Sequence, residues 1–403
     1  MSAAMSDRTN GAVVGPALGS GRILGTYGRR AAGPSFIVVA GIHGNEPSGI
    51  EAARRVLARL DSERPAVAGE IVVLAGNLTA LERRVRFLDF DLNRQWLPHR
   101  VAALRSGSIS TDSVEDRELC DLLSSLEAAL ARSTGPAYFL DLHTSSADGP
   151  PFLTVGDTLR NREFALRLPL PLILGLEEQV DGALLEFLNN HGFVTMGVEG
   201  GRHDDEESVD CHEAVMWLAV VAAGVLRPEA VPERERYRDL LERASRGIPR
   251  VVEVRHRHAI RPDDRFRMEP GFRSFQPIRA GEVLGRDRNG PVRSPAGGLA
   301  LLPLYQGQGD DGFFVAREVR MFWMRVSAVA RRVRLPSLVR HLPGVRRHPD
   351  DPEVLVVNTR IARWYPLEVF HLLGYRKLRR TAADLYVSRR RYDLDPPCRI
   401  VLS

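Results

Sequence analysis

The sequence predicts an α/β fold: a mixed, mostly parallel sheet with helices on both faces. Two observations lead there. Four short runs, FIVVAG (36–41), EIVVLAGN (70–77), PAYFLDLH (136–143) and GFVTMGVEG (192–200), are rich in β-branched or aromatic residues. They are continuously apolar instead of alternating, as strands covered on both faces should be. Helical patterns over roughly 48–60, 113–131 and 179–190 lie between them, and strands alternating with helices argue for a parallel sheet.

Taken in chain order, residues 1–22 are small, polar and Gly-rich. They lack the basic start and apolar core of a secretory signal and read as a disordered leader. An α/β domain follows over 23–245, in which Pro47 suits an early helix position that needs no N–H. A polar helical stretch near 208–245 closes it. RVVEVRHRHAI, RFRMEPGFRSFQPIRAGEVLG and GPVRSPAGGLALLPLYQG are short strand-like runs broken by Gly and Pro, which predicts a small β domain over 246–320. A basic C-terminal extension, 321–403, carries helical segments, the apolar run EVLVVN (353–358) and a further helix. No internal repeat of fixed period is present.

At 403 residues the chain is long for one core, so two or three domains are expected. No apolar run approaches the roughly 20 residues that span a bilayer. Cys120, Cys211 and Cys398 are scattered and odd in number, which disfavours a disulfide framework and fits a reducing cytoplasm. From Arg317 onward there are 19 Lys and Arg against 8 Asp and Glu, a net of +11, leaving −6 for the preceding residues out of the overall +5. A basic appendage on a mildly acidic body suggests a module with contacts of its own.

Three of the four strands end in residues that bind metal or move protons, and such groups gather at the carboxyl ends of strands in open α/β sheets. The first delivers His43 and Glu46, the third His143 and the fourth Glu199. Two imidazoles and one carboxylate form a ligand set of catalytic zinc, which keeps a fourth position for water; Glu199 is then left for proton transfer. Taken singly, each has an ordinary reading: HxxE recurs by chance, Asn-Glu-Pro caps helices, and Glu199 could be an ion-pair partner. Their coincidence at strand ends outweighs those readings. The segment RRVRFLDFDLNRQW (83–96) adds arginines around an Asp-Leu-Asn-Arg turn whose Phe87, Leu88, Phe90 and Leu92 are apolar. Part of it should be buried, and a guanidinium there offers a fork matched to carboxylate oxygens.

GIHGNE, DLNR, DLHTSS and VEGG, in this order and at these separations, resemble the succinylglutamate desuccinylase/aspartoacylase family, whose fold is similar to that of zinc carboxypeptidases. The resemblance covers roughly residues 35–320. It implies one zinc per chain on His43, Glu46 and His143, with Glu199 as general acid/base. It also implies that Arg86, Asn93 and Arg94 hold the substrate, the last two gripping a carboxylate. Asp141, two residues before His143, becomes the orienting acceptor that a metal-bound imidazole needs. Tyr305, in LLPLYQGQGDDGFF, is placed to enter the active site as a family tyrosine does.

Two features depart from the family. Asn189 stands where aspartoacylases carry a further substrate-binding Arg, which argues against N-acetylaspartate, and the basic tail lies outside the family core. The expected function is zinc-dependent hydrolysis of the amide of a small, carboxylate-bearing N-acyl amino acid or related acylated amine. One alternative is a metallocarboxypeptidase acting on short peptides. Another is an inactive binding protein using the tail on an anionic partner, since RKLRR (376–380) and SRRR (388–391) are interleaved with Trp364, Tyr365, Tyr375, Tyr386 and Tyr392. Nucleic acid is the disfavoured partner, because no specific signature accompanies the charge. A homo-oligomer is left open. His203 and His212, flanking HDDEESVDCH, are expected in an exposed loop at the cleft rim.

Overall fold

The fold is given by a computed structural model, which describes residues 13–14, 21–28, 32–333, 335–351, 353–358, 360–361, 367–381, 383–400 and 402. The expected leader lies outside these apart from 13–14 and 21–22; Trp364 and Tyr365 also lie outside. Within that leader Val13 and Val14 pair with Thr26 and Gly25, and Arg22 is buried against Glu118.

Each of the four apolar runs forms a strand: β1 (Ser35–Ala40), β2 (Glu70–Ala75), β3 (Ala137–Ser145) and β4 (Val194–Arg202). They lie in the order β2-β1-β3-β4, all parallel. Alternate residues of β1 enter two separate cores. Phe36, Val38 and Ala40 pack with Ile50, Ala53, Val56, Leu57 and Leu60 of helix α1 (Ser48–Glu63). That spacing is the apolar stripe of an amphipathic helix. Ile37 and Val39 pack instead with Leu119, Leu122 and Leu126 of α2 (Val114–Arg132) and with Leu184 and Leu188 of α3 (Leu184–Asn190). Helix α4 (Glu206–Ala222) joins the first core and buries Val215, Trp217 and Leu218. Burying each large apolar side chain contributes about 1.5–3 kcal/mol, so both layers are bound firmly to the sheet.

The expected helix over 179–190 begins only at Leu184, because the chain turns first through Gly182 at φ +74°. The stretch near 208–245 splits into α4 and a helix over Arg234–Ala244, separated where Gly224, Pro228 and Pro232 interrupt it.

The segment expected as a separate β domain continues the same sheet. Beyond β4 come the three-residue strands Phe152–Thr154 and Leu172–Leu174, then β5 (Val251–Ala259) and β6 (Asp311–Glu318), which pair antiparallel with each other. With the strands on either flank the sheet reaches twelve among the described residues. Residues 267–268, 283–287 and 290–293 form a small sheet apart from it.

The basic extension opens with helix α5 (Met321–Arg332) and holds a four-stranded antiparallel sheet around Leu355, Val357, Phe370, Leu385 and Val387. Part of its positive charge meets acidic residues of the body. Arg331 is fully buried, with Nη2 3.1 Å from Asp157 and Nη1 3.0 Å from Asp393. Arg390 lies 2.6 Å from Glu177 and 2.5 Å from Glu178, and His371 sits between Glu178 and Glu253. Among the described residues no helix is long and apolar enough to cross a membrane.

Candidate active site

The chain leaves β1 for β2 on one side of it and β3 on the other, which creates a crevice at the carboxyl ends of these strands. His43 and Glu46 follow β1 at that point. Their backbone is packed too closely for any side chain on Gly44, where a Cβ would lie 2.0 Å from the Ala80 backbone. Glu46 precedes Pro47 and α1, so its carboxylate is held between strand end and helix start.

His43, Glu46 and His143 converge, with one ligand atom from each within 4.8 Å of the others. His43 Nδ1 is 2.9 Å from Glu46 Oε1, and His143 Nδ1 is 3.2 Å from Glu46 Oε2. The far nitrogen of each ring meets an aspartate: His43 Nε2 is 3.1 Å from Asp91 Oδ1, and His143 Nε2 is 2.9 Å from Asp141 Oδ2. Both rings thus turn Nδ1 toward the common point, the orientation that carboxylate partners impose on metal-binding histidines. Burial would raise the Glu46 carboxyl, but the charges and hydrogen bonds of His43 and His143 hold it well below its ordinary range. This donor set fits a divalent cation such as zinc.

Glu199 stands beside His143 in the β3–β4 ladder, the two being register partners. Its Oε2 is buried without a hydrogen-bond partner among the described residues. Burial foremost, then the Glu46 and Asp141 carboxylates, push its carboxyl up to about 8 against the opposing charges of His143 and Arg86. A cation among the ligands would bring it back down. A strongly perturbed carboxyl in a cleft marks a candidate proton carrier. The glycine after it is also forced, since a Cβ on Gly200 would lie 2.5 Å from His212 Nε2.

Asp91, which sequence reasoning passed over, is shared. It accepts from Arg86 Nη2 at 2.9 Å and from the Asn93 N–H at 2.8 Å, besides holding His43. Arg86 Nη1 also lies 3.4 Å from Glu46. The loop between them is tied down by buried Glu115 of α2, which accepts the N–H groups of Leu88 and Asp89 at 2.8 and 3.0 Å. The first letter of DLNR was the available signal for Asp91; nothing local signalled Glu115.

Arg94 and Asn93 border the same crevice but are already engaged. Arg94 Nη2 is 2.8 Å from Asp311 Oδ2, and Asn93 Oδ1 accepts the Leu184 N–H at 2.9 Å. Asn189 Oδ1 accepts from Asn161 at 2.9 Å. Tyr305 does not line the crevice. Its hydroxyl donates to the Glu269 carbonyl at 2.8 Å and accepts the Phe272 N–H at 2.9 Å, which draws the ring away. Gln306 lines it instead, accepting from Asn45 at 2.7 Å and lying 3.1 Å from His203. His203 is half-buried at the rim. His212, by contrast, is fully buried in α4, with Nε2 2.9 Å from the His143 carbonyl. Burial lowers it to about 4, so it supports the β3 backbone as a neutral ring.

The crevice opens into a cavity of about 550 Å³ whose far wall comes from the C-terminal extension, through Glu353, Arg376, Leu378, Ser388, Arg389 and Arg391. Arg376 is paired with Glu186 of α3 at 3.1 Å.

Fold and site together define an α/β protein with a two-histidine, one-glutamate group at the carboxyl ends of a parallel sheet. Residues 32–156 match the family model of the succinylglutamate desuccinylase/aspartoacylase catalytic domain. The succinylglutamate desuccinylase of Photorhabdus laumondii is 31% identical over 115 residues, covering 28% of this chain and 33% of the relative. The N-acyl-aromatic-L-amino acid amidohydrolase (carboxylate-forming) of Xenopus tropicalis is 34% identical over 133 residues, covering 33% of this chain and 39% of the relative. The chain thus spans about a third of the length of these curated relatives. A succinylglutamate desuccinylase/aspartoacylase structure from Rhodobacter sphaeroides has the same fold at 19% identity, with a TM-score of 0.53 over 72% of this chain and 87% of that one. The product-bound ectoine utilization protein EutE (DoeB) from Ruegeria pomeroyi gives 18% identity and a TM-score of 0.54 over 73% and 88%. Over residues 32–156 the chain is thus similar to the succinylglutamate desuccinylase/aspartoacylase catalytic domain, and the solved structures share its fold.

Proposed function

We propose that the protein is a zinc-dependent hydrolase cleaving the amide bond of a small N-acyl amino acid or related acylated amine. The observation that carries this is the convergence of His43, Glu46 and His143, each imidazole backed by an aspartate, beside Glu199, whose Oε2 has no hydrogen-bond partner among the described residues. His43, Glu46 and His143 would hold one zinc per chain, which when bound supplies a Lewis acid and brings the pKa of a water to about 7. Asp91 and Asp141 keep the two rings aimed. Glu199 accepts the proton of the attacking water as its oxygen bonds to the acyl carbon. Arg86 meets the oxyanion that develops there, a charge absent from the ground-state amide. Glu199 then delivers the proton to the leaving nitrogen as the C–N bond breaks, a double role that microscopic reversibility permits. The products are a carboxylic acid and an amine. Asn93 and Arg94 border the space left for the amine portion.

The wall supplied by the extension favours small substrates over the longer peptides of a carboxypeptidase. The burial of Arg331 and Arg390 in ion pairs with the body disfavours a tail whose purpose is an anionic partner. The test is elemental analysis of protein purified without chelator, together with a panel of N-acyl amino acids, N-acyl amines and short peptides. One equivalent of zinc and amine release, lost on chelation and restored by zinc, is expected. Cleavage of peptides alone, or of nothing by metal-loaded protein, rejects the proposal.

A further inference from the structure

Arg86 and Arg94, which share the cavity with the three ligands, are each matched to a carboxylate of the chain itself. Arg86 is forked on Asp91. Arg94 presents the planar fork that would suit an incoming carboxylate, yet Asp311 at the start of β6 lies against it at 2.8 Å. A second clamp fixes Asp311: its Oδ1 accepts from Arg257 Nε at 2.5 Å, while Arg257 Nη1 donates to the Gln179 carbonyl at 2.6 Å. Asn93, the neutral group beside Arg94, has its side-chain oxygen committed to Leu184. Arg94 and Asp311 both line the cavity that the three ligands open into.

We propose that Asp311 is a specificity-determining residue: its carboxylate occupies the seat on Arg94 that a substrate carboxylate would take, so the favoured substrates are N-acylated amines carrying no carboxylate at that place. The inference rests on the deacylase proposal and names the substrate class within it. A tethered carboxylate acts at an effective concentration of about millimolar or more. A free acid at its own working concentration must therefore displace Asp311 from two guanidiniums before reaching Arg94. Replacing Asp311 by an uncharged residue would open the seat.

The test uses full-length, zinc-loaded protein carrying Glu199→Gln, so that binding is read without turnover. Calorimetric titration compares N-acetyl-L-phenylalanine with N-acetylphenethylamine, which differ by the carboxylate alone. With Asp311 present, the amine derivative should bind at least as tightly as the acid. Asp311→Asn should shift the ratio at least tenfold toward the acid, and adding Arg94→Gln should cancel that shift. The amine derivative reports whether the site has stayed intact in each variant. A tenfold preference for the acid with Asp311 in place, an unchanged ratio in Asp311→Asn, or no binding of the acid once Arg94 is freed each overturns the proposal. Because no turnover is involved, failure of this ratio is distinct from failure of the deacylation panel.

Discussion

Replacing His371 by Gln isolates the ionic fastening of the C-terminal extension. His371 lies on the Leu367–Leu372 helix, with Nδ1 2.5 Å from Glu253 Oε1 and Nε2 3.0 Å from Glu178 Oε2, the second an ion pair more than an aligned hydrogen bond. Burial alone would lower this imidazole, yet its bonds and charge interactions with the two carboxylates raise it to about 9. The ordinary value is near 6.5, and a rise to about 9 is worth about 3 kcal/mol. The depression of Glu253 to about 2 expresses the same attraction and is not a further gain. Because the folded value is the higher one, the stabilisation is complete below pH 6.5 and is lost as pH rises through about 9. Arg390 remains on Glu178, and Arg255 and Arg317 on Glu253, in the variant, so neither carboxylate is stripped of partners. Urea unfolding of both proteins at intervals from pH 6 to pH 10 reads the effect. The wild-type advantage should shrink by about 3 kcal/mol across the range, mostly between pH 6.5 and 9. An advantage that stays constant, or that grows with pH, refutes the argument.

Other consequences are checked more simply. Glu199→Ala should retain bound metal by elemental analysis yet lose about 10²–10⁴ in rate; an unimpaired rate rejects its role. Asp141→Asn, which weakens the support of His143, should lower metal affinity about 10–100-fold in competition with a chromogenic chelator. Arg331→Ala leaves Asp157 and Asp393 without this buried partner and should cost about 3–5 kcal/mol in denaturant unfolding.

Continuous apolar runs were enough to read β1 to β4, because strands enclosed on both faces have no polar side to blur the pattern. The convergence of His43, Glu46 and His143 with Glu199 beside them was legible for a related reason: strand exits in such sheets face one crevice, so these residues could be joined without knowing the path between them. The three-residue strands at 152–154 and 172–174 are too short to show any period. Glu115 and Asp311 escaped notice because their importance lies in contacts more than 20 residues away in sequence. Tyr305 was mislocated by one position, since backbone groups at 269 and 272 capture its hydroxyl and leave Gln306 facing the cavity. The tail's basic residues looked like an outward face; a composition count cannot tell that Arg331 and Arg390 turn inward.

His143 and Glu199 sit on facing rungs of one ladder, so their spacing follows from hydrogen-bonded strands about 4.8 Å apart and owes nothing to the surrounding loops. The rest of the cavity is lined from other segments, such as 302–311 and 376–391, and under the deacylase proposal substrate preference would reside there. A lineage could therefore retune what it accepts by altering those segments while the spacing of the His143 imidazole and the Glu199 carboxyl stays built into the scaffold.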